Sequence, residues 1–382
     1  MSKNQIKVLV VDDSALMRQI IVKMLESDPL LKVVNYARNG EDALAKIKTY
    51  KPDVVTMDVE MPELCGISAL KRIMRENPVP VVMLSSLTTA GASKTLEALS
   101  LGAVDFVAKP ANNKDLPRLA SELIETVKAA AQISVKKISS ICSAGGAAKA
   151  KPPLRQDKDS AAASKTVAAK PLFQMNTSAT NTSIALQPAA AVELIVIGIS
   201  TGGPVALQAL MSKIPKNIPC GIVIAQHMPK GFTEPLAKRL NDLCEIEVIE
   251  GKDGDMVLPG RAIVAPAGFQ LTFTKKADGL QVSVGEYSPI KTFFKPSVDV
   301  TVLSAAEVLG SKVLGVIMTG MGSDGALGLK SLKDKKGLVL AQDEESCIVY
   351  GMPRAVVEAG IADKVLPLSE LGNEITSIAS RR

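Results

Sequence analysis

Two doubly wound α/β domains of parallel sheet, joined by a flexible linker, are the fold class this chain predicts. Three observations carry it. Short β-branched runs alternate with amphipathic helical stretches through residues 6–128. Residues 131–190 are dominated by Ala, Ser, Lys, Thr and Pro and sustain no apolar period. From Val192 the buried-strand runs resume, again with helical patterns between several of them. Strands alternating with helices imply βαβ units, because parallel neighbours need a crossover that a helix supplies. A chain of 382 residues has material for two or three cores. The expected division is a first domain over 1–130, a linker over 131–190 and a second domain over 191–382.

In the first domain Ile6–Val11 reads as a buried strand. Ser14–Ser27 follows as a helix, with Leu16, Ile20 and Met24 on one face. Val54–Met57, Val79–Leu84 and Asp105–Val107 are further strands. Gly40–Thr49, Cys65–Glu76, Gly91–Ser100 and Asn113–Ala130 are the intervening or terminal helices. The linker is far longer than loops inside compact domains. Its one apolar island, Leu172–Met175, reads as an incidental cluster. The second domain should hold about seven strands: Leu194–Ile197, Gly221–Ala225, Glu245–Val248, Ala262–Ala265, Leu280–Val284, Val313–Met318 and Gly337–Ala341.

Composition narrows the function classes. Aromatics make up 3% and Trp is absent, so the cores must be aliphatic. The net charge of +6 resides in residues 131–190, whereas residues 191–382 sum to −1. A basic tether beside a near-neutral domain argues against a nucleic-acid partner. The five cysteines are scattered, with no C-x-x-C pair. That suits reduced thiols in a cytoplasmic protein. The N-terminal apolar run is too short for a signal peptide or a membrane span, and direct membrane insertion is not expected.

Five polar residues cluster at expected strand ends of the first domain. Asp12 and Asp13 close the first strand, and Asp58 closes the run beginning at Val54. In a parallel sheet these carboxylates converge on one edge and suit a hard divalent cation. Ser85 and Lys109 end two further runs, where a hydroxyl and an ammonium would complement phosphoryl oxygens. The strings KVLVVDDS, PDVVTMDVEMP and AVDFVAKP resemble the receiver domain of two-component response regulators over about residues 5–128. The resemblance implies a five-stranded flavodoxin-like sheet and phosphorylation of Asp58 by a histidine kinase. It further implies Mg²⁺ held by Asp12, Asp13, Asp58 and the Glu60 backbone carbonyl, with Ser85 and Lys109 on the phosphoryl group. Cys65-Gly66 stands where receivers often carry Asp-Gly, which should alter a turn contact and leave the chemistry intact.

The single histidine, His227, constrains any proton shuttle at neutral pH to one position. It follows an apolar run, as do Ser200 in Gly198-Ile-Ser-Thr-Gly202 and Asp324 in Gly320-Met-Gly-Ser-Asp324. Together they make a nucleophile, base and orienter set. The order Ser, His, Asp is not that of lipase folds, although the short G-x-S-x-G pattern matches. The strings IGISTGGP, QHMPKGFT, GDMVLPGRAIVAP, PSVDV, MTGMGSDGA and AQDEESCIVYGMPRA resemble the catalytic domain of chemotaxis protein-glutamate methylesterases over about residues 192–375. The resemblance implies hydrolysis of γ-glutamyl methyl esters on chemoreceptors, with release of methanol, and deamidation of receptor glutamines. Ser200 is then the nucleophile, His227 the base and Asp324 its orienter, with the Met321 N–H in the oxyanion hole and no cofactor at this site. Phe269 and the Lys295-Pro-Ser segment lack a histidine or arginine common there, which bears on substrate contacts. A DNA-binding response regulator and a catalytically silent receptor adaptor are the alternatives. Near-neutral charge and the intact Ser/His/Asp set argue against them.

Overall fold

A computed structural model describes residues 5–109, 116–133 and 190–381. Most of the expected linker, with Cys142 and the Leu172–Met175 island, lies outside the described residues.

The first sheet is built from β1 (Ile6–Val11), β2 (Leu31–Ala37), β3 (Val54–Asp58), β4 (Val81–Ser85) and β5 (Asp105–Ala108). All pairings are parallel, in the order β2-β1-β3-β4-β5. Between them run α1 (Ala15–Glu26), α2 (Gly40–Tyr50), α3 (Gly66–Glu76) and α4 (Thr89–Ser100), with α5 (Leu116–Ala131) last. The central strands are continuous apolar runs because helices cover both faces. The edge strand β2 mixes Lys32, Asn35 and Tyr36 with its apolar residues and is only partly buried. That is why no strand was legible there. Ser14, Asn39 and Thr88 cap α1, α2 and α4 through side-chain oxygens. Cys65 precedes α3 without a side-chain cap bond, and its thiol instead reaches Ser68 Oγ at 3.3 Å.

The second sheet has seven parallel strands in the order β14-β13-β12-β6-β7-β9-β8. They are β6 (Leu194–Ile199), β7 (Gly221–Gln226), β8 (Glu247–Glu250), β9 (Arg261–Val264), β12 (Val313–Ile317), β13 (Leu338–Gln342) and β14 (Lys364–Leu366). The number matches the expectation but the membership does not. The run Leu280–Val284 lies in β11 (Gly279–Gly285), which pairs antiparallel with β10 (Gln270–Lys276) in a separate hairpin. The seventh place belongs to β14, a three-residue edge strand too short to leave a pattern. The helices are α6 (Gly203–Met211), α7 (Thr233–Leu243), α8 (Val298–Leu309), α9 (Ala326–Asp334), α10 (Met352–Glu358) and α11 (Leu368–Ala379).

The two sheets share a packed boundary. Helix α4 lies against α6 and α7. Phe106 of β5 stacks on the fully buried Phe232, with ring centroids 4.6 Å apart. Such a pair contributes about 0.5–1.5 kcal/mol beyond the burial of its surface. Arg239 Nη2 donates to Ser100 Oγ at 2.7 Å across the same boundary.

Candidate active site and acidic pocket

Ser200 follows β6, His227 follows β7, and the loop carrying Met321 and Asp324 follows β12. These are three adjacent strands, and all three side chains emerge at the carboxyl edge. Here strand order reverses about β6, the usual crevice of open α/β sheets. Gly202, at φ 73, turns the chain from β6 into α6. A Cβ on Gly320 would lie 2.7 Å from the Ser200 Cβ, so the β12 loop can meet the serine only as glycine.

The spacing between the groups is hydrogen-bond spacing. Ser200 Oγ lies 3.2 Å from His227 Nδ1, and His227 Nε2 lies 2.7 Å from Asp324 Oδ2. With Nε2 donating to the carboxylate, Nδ1 is the lone-pair nitrogen facing the hydroxyl. The ring thus uses its two nitrogens in the reverse of the familiar triad arrangement, with the same logic of roles.

Asp324 sits against the first turn of α8. It accepts from Ser297 Oγ at 2.9 Å, Val298 N–H at 2.7 Å and Asp299 N–H at 3.0 Å. Burial pushes its carboxyl up, but the His227 imidazole and these N–H groups outweigh burial and hold it below the usual carboxylate range. The neighbouring Asp299 goes the other way. Burial pushes it up to about 6, against the opposing N–H groups of Gly328 and Gly325, and the Asp324 charge adds to the rise. One carboxylate is thereby kept charged beside the imidazole.

Main-chain struts fix the serine and the histidine to each other. The Gln226 amide nitrogen donates to the Ser200 carbonyl at 3.0 Å and to the His227 carbonyl at 2.9 Å. Thr319, fully buried, accepts the Ser200 N–H at its carbonyl (2.9 Å) and donates its hydroxyl to the Thr201 carbonyl (2.9 Å). Its N–H is taken by Gln342 Oε1 at 2.9 Å. The ring of Phe294 stacks on His227, with centroids 4.1 Å apart and planes within 1°. None of Gln226, Thr319, Ser297, Asp299 or Phe294 was singled out from sequence. Polar residues flanking strands read as ordinary caps, and the strings QHMPKGFT, MTGMGSDGA and PSVDV contain four of the five without marking what they do.

In the first domain Asp12, Asp13 and Asp58 each offer an oxygen within 4.8 Å of the others. Asp12 and Asp58 are buried and Asp13 is exposed. Lys109 Nζ lies 2.7 Å from Asp12 Oδ2 and 2.6 Å from Asp58 Oδ2. Burial pushes the Asp58 carboxyl up, and the Lys109 ammonium only partly offsets this. Three hard oxygen donors at one strand edge fit a divalent cation of the Mg²⁺ kind. Ser85 is fully buried and accepts from Thr95 Oγ1 at 2.6 Å. Glu60 directs its carboxylate away, to Lys94 Nζ at 2.7 Å. A Cβ on Gly66 would fall 1.9 Å from the Asp58 carbonyl, so the glycine after Cys65 is sterically required. Among the described residues Cys65, Cys220, Cys244 and Cys347 form no disulfide, and burial pushes Cys220 up to about 12.

A receiver sheet joined to an α/β sheet that carries a Ser, His and Asp cluster defines a hydrolase governed by a response-regulator domain. The family model for CheB methylesterase matches residues 195–375, and that for the response regulator receiver domain matches residues 8–121. A protein-glutamate methylesterase/protein-glutamine glutaminase of Desulfitobacterium hafniense is 42% identical over 392 residues, covering 100% of this chain and 99% of the relative. One from Oleidesulfovibrio alaskensis is 44% identical, covering 97% and 98%. The catalytic domain of the CheB methylesterase of Thermotoga maritima is 40% identical, covers 50% of this chain and all of that one, and has a TM-score of 0.48. The chain belongs to the CheB methylesterase family, in the form that carries an N-terminal receiver domain. No helix among the described residues is long and apolar enough to cross a membrane.

Proposed function

We propose that this chain hydrolyses γ-glutamyl methyl esters on chemoreceptors, releasing methanol, and deamidates receptor glutamines, under control of its receiver domain. The observation that carries this reading is the line of contacts from Ser200 Oγ through the His227 ring to Asp324. His227 Nδ1 takes the Ser200 proton as Oγ attacks the ester carbonyl. The tetrahedral oxyanion meets the Met321 N–H, next to the contact of Gly320 with Ser200. His227 returns the proton to methanol, or to ammonia from an amide, and a water activated by the same nitrogen frees the glutamate. Nucleophile, base, orienting carboxylate and oxyanion donor are all groups of this chain, and water is the co-reactant.

In the receiver, Asp58 accepts the phosphoryl group from a chemotaxis histidine kinase. Asp12, Asp13 and Asp58 would hold Mg²⁺ with the Glu60 carbonyl, and the ion would neutralise charge gathering on the phosphoryl oxygens. Lys109 and Ser85 bind those oxygens, Ser85 by redirecting the hydroxyl proton it gives to the Ser86 carbonyl. The domain boundaries fall near residues 130 and 190, and the protein acts in the cytoplasm. Contacts of Asp105 with Thr201 and of Phe106 with Phe232 put receiver groups one residue from the nucleophile and on the strand-to-helix connection after His227. They support inhibition by covering.

Methanol release from methyl-esterified receptor tests the assignment. Ser200→Ala and His227→Ala should each lower turnover by orders of magnitude with the melting temperature unchanged. Near-normal turnover in His227→Ala would overturn the mechanism.

A further inference from the structure

We propose that Phe294 is a positioning residue for the hydrolytic reaction, fixing the plane of the His227 imidazole and stabilising the imidazolium that forms as Ser200 is deprotonated. This rests on the reading of His227 as the base.

The stack is nearly parallel and close, with centroids 4.1 Å apart and planes within 1°. Two hydrogen bonds at the ring edge, to Ser200 and Asp324, set the direction of the imidazole, and a small χ2 tilt about the Cβ–Cγ bond is what they hold least firmly. A flat aromatic surface against one face removes that tilt. It also leaves the His227 side chain only 10% exposed. The negative face of the phenyl ring interacts more favourably with an imidazolium than with an imidazole. The contact therefore strengthens at the moment the base becomes charged, which is the condition for lowering a barrier.

Core packing does not account for the ring. Phe294 is 42% exposed, in a chain with seven phenylalanines. Its backbone is held in place regardless. The Phe294 carbonyl accepts from Gln270 Nε2 at 2.8 Å, and its N–H donates to Thr292 Oγ1 at 3.1 Å. The other side of the same amide, Gln270 Oε1, takes the Ser297 N–H at 2.9 Å. Ser297 in turn donates its hydroxyl to Asp324. One short segment thus carries both the group that holds the orienting carboxylate and the ring that covers the base. Docking of substrate on an exposed aromatic is the competing explanation, and it predicts an effect on KM.

The test uses the full chain with methyl-esterified receptor as substrate. Phe294→Leu should lower kcat about tenfold, equivalent to about 1.4 kcal/mol, with KM changed less than about twofold. Phe294→Tyr should restore kcat, whereas Phe293→Leu, at a neighbouring ring that is 90% exposed, should leave it unchanged. The lone histidine gives one set of imidazole signals in a histidine-labelled sample. Loss of the ring current should move them downfield in Phe294→Leu and leave them in place in Phe293→Leu. Normal kcat in Phe294→Leu, or a rise in KM alone, would overturn the proposal. Unchanged imidazole signals would do so as well. Failure of the base assignment would show separately, as turnover surviving in His227→Ala.

Discussion

Gln226 has one amide and three obligations. Its nitrogen bridges the carbonyls of Ser200 and His227, and its oxygen is buried without a hydrogen-bond partner. A buried acceptor left unpaired costs about 1–3 kcal/mol. The residue is therefore placed for what its nitrogen does, tying the end of β6 at Ser200 to the end of β7 at His227. Gln226→Leu removes both bonds: the Ser200 carbonyl keeps the Gly203 N–H at 2.8 Å, whereas the His227 carbonyl loses its donor. We expect kcat to fall about tenfold, KM to stay within about twofold, and stability to drop by about 1–3 kcal/mol by urea denaturation. Unchanged kcat with the stability loss would make Gln226 a packing residue only. Ser200, His227 and Asp324 were legible because each ends an apolar run at a glycine or proline stretch. Gln226 and Thr319 were not. Each is a polar residue close to the site, and which atom it faces is decided by chain 26 residues away for Gln226 and 118 residues away for Thr319.

The same amide limits the helix that follows the nucleophile. A Cβ on Gly203 would lie 2.0 Å from Gln226 Oε1 and 2.8 Å from its Cδ. Helix α6 can start against the β7 strand end only because Gly203 has no side chain. Gly203→Ala should displace the Gln226 amide, lower kcat in parallel with Gln226→Leu, and add little when combined with it. Additive losses in the double variant would show that the two act separately. The central strands of both parallel sheets were legible; of the edge strands, β5 and β8 were legible and β2 and β14 were not. β3, β6, β7 and β12 are buried along their whole length and β1 over its last four residues, with mostly apolar side chains because helices cover both sheet faces. β2 and β14 bury one or two residues each, so their place depends on which neighbour they pair with. The antiparallel hairpin of β10 and β11 alternates, yet nothing in its alternation says that it leaves the parallel sheet.

Receiver docking couples the two sheets, and it should respond to pH through Asp105. Burial pushes this carboxyl up to about 6, although the Phe106 N–H and the Thr201 hydroxyl oppose the rise. Glu122 of α5, the charged group that faces it, adds to the rise. In an undocked receiver the burial contributed by the second domain is lost, and the carboxyl moves back toward its ordinary value near 3.8. An acid whose proton is held more tightly in the docked state favours docking below its ordinary value. That contribution disappears as pH rises through about 6. Raising the pH from about 5 to 7 should therefore loosen the receiver and expose Ser200. Asp105→Asn, neutral throughout, should keep the receiver docked at pH 7 and lower basal esterase activity. Deleting residues 1–130 should raise that activity, and Asp58→Asn should make the intact enzyme blind to a small phosphodonor with Mg²⁺. The pH effect can be isolated from the chemistry of the triad. The rate of Ser200 labelling by a fluorophosphonate is measured for the wild type and for Asp105→Asn at each pH, and the ratio cancels what the triad itself contributes. We expect the ratio to climb with pH and level off above about pH 7. A ratio that stays flat from acid to neutral pH would remove Asp105 from the docking equilibrium, leaving the Phe106–Phe232 stack and the α4 contacts to hold the receiver without a titrating group.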